Sequence, residues 1–187
     1  MFDSQCDVAA LVYGQGQDPD RILSGFAADL GASGHLAVGL VQLGHRCRDA
    51  ALSATLLHTG ESVPLFREIG NAGGERRLDL TRLGDAAERI AHAIDRGADI
   101  VIVNRFGRQE CEGKGLSLLI SRALAADMPV LIAVPGHRFA DWIRFTEGMS
   151  VKLPCNRRAL DAWWHGVAAR NAHRIVSQNP TVCEILK

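Results

Sequence analysis

Ile100-Val101-Ile102-Val103 is apolar at every position, β-branched throughout and only a few residues long. A half-covered strand alternates polar and apolar residues, and a surface helix buries a single stripe. A short unbroken run of this kind instead fits a strand covered on both faces, as in a mainly parallel sheet packed between helices. Two further runs behave alike: Asp7 to Tyr13 (DVAALVY) and Met128 to Val134 (MPVLIAV). Helical spacing fills the intervals. Ile22, Leu23, Phe26, Ala27 and Leu30 recur on one face, with Gly31 and Gly34 as stop signals. Leu83, Ala86, Ala87, Ile90 and Ile94 do so from about 82 to 96, where Gly97 ends the run. Leu116, Leu119, Ile120 and Leu124 follow within 115–126. The expected class is α/β.

Polarity appears where the 100–103 strand should end. Asn104 and Arg105 are followed by Phe106-Gly107 and then Arg108, Glu110, Glu112 and Lys114. Open α/β sheets bind ligands outside the carboxyl ends of their strands. This charged, glycine-containing segment is therefore the first candidate site. Pro135-Gly136-His137-Arg138 is a second polar strand end on the same side, and His137 and Arg138 are candidates to touch a substrate. After the first strand comes Gly14-Gln15-Gly16-Gln17, then Asp18 as a helix cap and Pro19 at the first helical position. The free N–H groups at such a helix start form a ready anion site. A Walker A loop would carry a lysine and a hydroxyl residue, where Pro19 and Asp20 stand here; Arg21 is the available cation.

His35 to Leu43 reads as a second strand, with Gly39 permitting close packing. Ala51 to His58 and Ser62 to Phe66 flank the turn Thr59-Gly60-Glu61 as an antiparallel excursion. Glu68 to Arg77 reads as a glycine-rich mobile loop near the rim, closed by Arg76-Arg77. A short helix over 139–146, a weak strand over 150–153 and a long helix over 157–176 complete the chain. In that last helix Leu160, Trp163, Trp164 and Val167 form a packing stripe.

With 187 residues and neither repeat nor linker, a single domain over 1–187 is expected. Zero net charge gives no attraction to nucleic acid or to a membrane surface, and no apolar run is long enough to span a bilayer. The N-terminus lacks the pattern of a signal peptide, which predicts a cytoplasmic protein. Cys6, Cys47, Cys111, Cys155 and Cys183 are scattered and form neither a disulfide framework nor a zinc site. Cys6 is expected in or near the core, and Cys111 falls within the candidate loop. His45, Cys47 and His58 lack supporting carboxylates, so no protein metal site is expected.

The order of these pieces resembles the nucleoside-triphosphatase family known as THEP1, over roughly residues 7–138. The shared layout is strand, glycine loop, helix, glycine-containing strand, β excursion, helix, and a Walker B strand running into Gly-x-x-Glu. The chain is more closely similar to the DUF2478 group. It shares the pattern Asn-Arg-Phe-Gly-x-x-Glu-x-x-Gly-x-Gly at 104–115, a Tyr-x-x-Gly loop at Tyr13 and the segment Leu40-Val41-Gln42. These resemblances imply a three-layer P-loop NTPase-like fold with a mainly parallel central sheet and a β-hairpin excursion. They also imply nucleotide as ligand, Mg²⁺ arriving with it, and a link to molybdenum metabolism.

On that basis Gly14, Gln15, Gly16, Gln17, Asp18, Arg21, Asn104, Arg108 and Lys114 are the phosphate- and nucleotide-binding candidates. Arg105 and Glu110 are the catalytic ones, with Glu110 orienting a water or a metal ligand. Asn104 and Arg105 replace the acidic Walker B pair, and a neutral Asn104 suits Mg²⁺ poorly. The expected function is a nucleotide-binding P-loop-like protein, a slow or degenerate NTPase at most. Two alternatives stay open: a non-enzymatic oxyanion binder, with molybdate the obvious ligand, and a regulatory module working through a second copy of the chain or a protein partner.

Overall fold

The computed structural model describes residues 7–43, 53–69 and 75–178. Cys6, His45, Cys47 and Cys183 lie outside the described residues, as do all of 44–52 and the centre of the glycine-rich segment.

The strands are β1 (Val8–Tyr13), β2 (Ala37–Leu43), β3 (Ser53–Leu56), β4 (Ser62–Pro64), β5 (Phe66–Ile69), β6 (Glu75–Leu78), β7 (Ile100–Val103), β8 (Val130–Pro135) and β9 (Val151–Pro154). The helices are α1 (Pro19–Ala32), α2 (Leu80–Asp95), α3 (Arg108–Cys111), α4 (Ser117–Ala125), α5 (Phe139–Phe145) and α6 (Arg157–Gln178). A seven-stranded sheet has the order β4-β3-β2-β7-β8-β1-β9. From β2 to β9 every neighbouring pair is parallel, while β3 and β4 add an antiparallel edge.

Alternation along the strands divides the core. Val8 and Ala10 of β1, Val101 and Val103 of β7, and Val130 and Ile132 of β8 face one side. There they pack with Leu83 and Ile90 of α2, Ile120 of α4 and Trp142 of α5. Ala9, Leu11, Ile100, Ile102 and Leu131 face the other, against Leu23 and Phe26 of α1 and Leu160, Trp164 and Val167 of α6. Each fully buried aliphatic side chain contributes about 1.5–3 kcal/mol of transfer free energy, which commits the apolar runs to the centre of this three-layer fold. Gly39 sits at φ +133° in register with Ile102. Its bare Cα lets the β2 and β7 backbones approach.

One expectation fails. Glu68 to Arg77 is not simply a loop: β5 and β6 pair antiparallel, with Phe66 opposite Leu78 and Arg67 opposite Arg77. Charged residues at most positions hide this ribbon from hydrophobic patterning. The expected β3–β4 hairpin is present.

At its turn, burial pushes the half-buried His58 imidazole below its ordinary 6.5, and Arg89 and Arg96 push the same way. The folded chain therefore favours neutral His58. That contribution is complete above about pH 6.5 and falls away as the pH drops below it. Glu61, held down by Arg89, loses its own contribution only below 4.5, so the two windows separate. The melting temperature is expected to decline from about pH 6.5 toward pH 5, and to decline less in His58→Gln. Calorimetric melts across that range check it; parallel slopes would remove His58 from the account.

Candidate anion-binding site at the strand ends

Connections leave β1 and β8 in opposite directions. After β1 the chain crosses by α1 to β2 on one face, and after β8 it crosses by α5 to β9 on the other. Adjacent strands whose connections diverge leave a crevice beyond their carboxyl ends, the usual ligand position in such sheets. A cavity of about 700 Å³ lies there. Tyr13, Gly14 and Gln15 line it from the end of β1, Arg105, Gly107 and Arg108 from the end of β7, and Pro135, Gly136, His137 and Arg138 from the end of β8. The glycine turn and the 104–114 segment thus meet over one sheet edge. The lining is basic, with no carboxylate among these residues.

Asp18 caps α1 by accepting from the Arg21 N–H at 3.2 Å. The Gln17 side chain accepts from the Gly14 N–H at 2.7 Å, and Gly16 turns the loop at φ +88°. With the Gln17 N–H donating to the Gly14 carbonyl at 3.3 Å, three backbone donors of residues 14–21 are engaged within that segment itself. Gly16, Gln17, Asp18 and Arg21 do not line the basic cavity, whereas Gly14 and Gln15 do.

Arg105 occupies a left-handed backbone conformation, φ +91°, which is costly for a residue with a side chain. Its guanidinium reaches Asp20 of α1 at 3.1 and 3.3 Å and lies over the Tyr13 ring, 5.7 Å from the centroid. Asp20 is thus neutralised by an arginine 85 positions further along the chain. Burial pushes the Tyr13 phenol above 10.0 against the opposing pull of Arg105, so Tyr13 stays protonated at neutral pH.

Glu110 is buried, and both carboxylate oxygens are taken by backbone. Oε2 accepts from the Gly107 N–H at 2.9 Å and Oε1 from the Leu116 N–H at 3.1 Å. A Cβ at Gly107 would stand 3.1 Å from one oxygen, and a Cβ at Gly115 2.5 Å from the other. The spacing Gly-x-x-Glu-x-x-Gly-x-Gly is therefore a clasp: a carboxylate closing its own loop, with Gly107 and Gly115 where a Cβ would crowd it and Gly113 at φ +71° with open space around it. Phe106 anchors the segment edge-on to Trp142, with ring centroids 5.1 Å apart.

Arg108 pairs with Glu112 at 2.9 Å on the exposed surface, and Lys114 pairs with Glu112 at 3.3 Å, away from the basic cavity. Arg138 donates to the Cys111 sulfur at 3.6 Å. Asn104 turns from the basic cavity into a second one beside it, where Gln42 also lies. In the sequence Gln42 stood out only as part of the Leu40-Val41-Gln42 segment, with no role attached to it.

Among the described residues no cluster of three or more His, Cys, Asp or Glu side chains could hold a metal ion. Asp20 is committed to Arg105, and Asn104 is neutral. These residues do not fit a protein-held Mg²⁺. No helix among the described residues is long and apolar enough to cross a membrane.

A family model described as a protein of unknown function, DUF2478, matches residues 8–163. A curated relative from Bradyrhizobium diazoefficiens, the molybdenum import ATP-binding protein ModC 2, is 36% identical over 167 residues. That match takes in 87% of this chain but 18% of the relative, so the chain spans less than a fifth of that protein's length. No solved structure matches.

Proposed function

The chain belongs to the DUF2478 family, and from that footing we propose that it binds a nucleotide by its phosphates in the basic cavity. The observation that carries the proposal is the convergence of Arg105, Arg108 and Arg138 with Gly14 and Gln15 around about 700 Å³. Guanidinium groups match phosphate oxygens in shape and charge, and several together take the place of a loop lysine. The ModC 2 relative, a molybdenum import ATP-binding protein, supports both a nucleotide and a molybdenum connection. Arg105 and Arg108 are the phosphate ligands from β7, and Arg138 is the one from β8. Glu110 is a positioning residue that fixes Gly107 and hence the flanking arginines. Asn104 stands where phosphoryl transfer would place a metal-holding acid. The proposal is therefore binding, without a hydrolytic step.

Thermal shift with millimolar ATP, GTP and ADP, with and without Mg²⁺, tests it. At least one nucleotide is expected to raise the melting temperature. Arg138→Ala is expected to weaken that nucleotide about tenfold or more, since a hydrogen bond to a charged group contributes about 1.5–3 kcal/mol. No response to any nucleotide would overturn the proposal. A response confined to molybdate and sulfate would replace it with the oxyanion reading, which the same arginines also suit.

A further inference from the structure

The second cavity, of about 310 Å³, opens on the other side of the 105–108 segment, between the ends of β2 and β7 and the β5–β6 ribbon. Leu40, Leu65, Phe66, Leu78, Leu83 and Leu116 make its walls apolar. Two carboxamides interrupt them. Gln42 is 9% exposed and Asn104 6%. The Asn104 amide nitrogen donates to the Gln42 backbone carbonyl at 3.4 Å, which fixes the orientation of that side chain. Among the described residues its oxygen Oδ1 has no hydrogen-bond partner, and neither has Gln42 Nε2. Buried amide atoms almost always find partners, and an apolar pocket with a few convergent polar groups is the usual form of a small-molecule site. Arg105 and Arg108 are shared with the basic cavity, where the phosphate reading uses them, and Glu110 is held by two backbone N–H groups.

We propose that this cavity binds an uncharged nitrogen heteroaromatic ring whose edge carries one hydrogen-bond acceptor beside one donor. Gln42 Nε2 donates to the ring's acceptor, Asn104 Oδ1 accepts from its donor, and the leucines and Phe66 cover its faces. Lactam edges, as in hypoxanthine and uracil, and the amidine edge of adenine share this chemistry. The ring site extends the nucleotide reading without depending on it, because a nucleoside without phosphate addresses this cavity alone.

Titration calorimetry with adenosine, inosine and uridine is the test, with pyrophosphate as the probe of the basic cavity. At least one nucleoside is expected to bind, and which one identifies the edge. Gln42→Leu and Asn104→Leu, of similar size but without hydrogen bonding, are each expected to weaken that nucleoside at least about tenfold. Gln42→Leu is expected to leave the pyrophosphate response and the melting temperature unchanged. Two variants guard against one failing to fold. Absence of nucleoside binding, or binding untouched by either substitution, overturns the ring site whatever pyrophosphate does. A marked loss of stability in Gln42→Leu would equally overturn it, by assigning that amide a structural partner.

Discussion

Arg105→Ala is expected to destabilise the chain by about 3 kcal/mol, because it strands a buried carboxylate. The Asp20 side chain is 9% exposed and that of Arg105 19%. Removing one member of a buried pair costs more than the pair is worth, since the remaining charge has lost both water and partner. The lower end of the usual range applies, as Arg105 keeps some solvent contact. For a chain of this size, that corresponds to a fall in melting temperature of about 6–12 °C. Alanine retains a Cβ at φ +91°, so the backbone strain is held nearly constant in the comparison. Asp20→Asn in the Arg105→Ala background is expected to recover much of the loss. If the double variant melts no higher than the single one, the stranded-charge explanation is wrong. The nucleotide response is expected to disappear along with Arg105, and the double variant is not expected to restore it.

Gly39→Ala is expected to cost more than about 4 kcal/mol, beyond what most single substitutions do. A Cβ there would lie 1.9 Å from the Ile102 carbonyl oxygen and 2.8 Å from its carbon. Both are backbone atoms of the central strand, so no rotamer change relieves the collision. Moving them apart would break the register in which Gly39 faces Ile102. The φ of +133° adds a second penalty for any residue with a side chain. Soluble yield and a circular-dichroism melt decide the matter; a melt within a degree or two of the parent would contradict the geometry.

Much of this fold was legible because local patterns and tertiary position agree. The apolar runs at 8–13, 100–103 and 130–135 became central strands. Asp18 and Pro19 began α1, and the turn at 59–61 joined an antiparallel pair. What stayed hidden depends on partners far apart in sequence or on backbone atoms. The charged residues of β5 and β6 carry no alternation strong enough to announce a ribbon. Asp20 stood only as a departure from a Walker A loop, because its partner Arg105 is remote in sequence. The hold of two backbone N–H groups on the Glu110 carboxylate has no signature in side-chain spacing. Asn104 and Gln42 come together across 62 positions only once β2 and β7 pair.

The Glu110 clasp closes on atoms of its own loop, from Gly107 to Leu116. The shape of the cavity mouth is accordingly set when the chain folds, before any ligand arrives. Little ordering entropy remains to be lost at the moment of encounter, so affinity is not eroded by a disorder-to-order step. Association should then proceed in a single kinetic phase whose rate rises linearly with ligand concentration, as capture by a rigid receptor does.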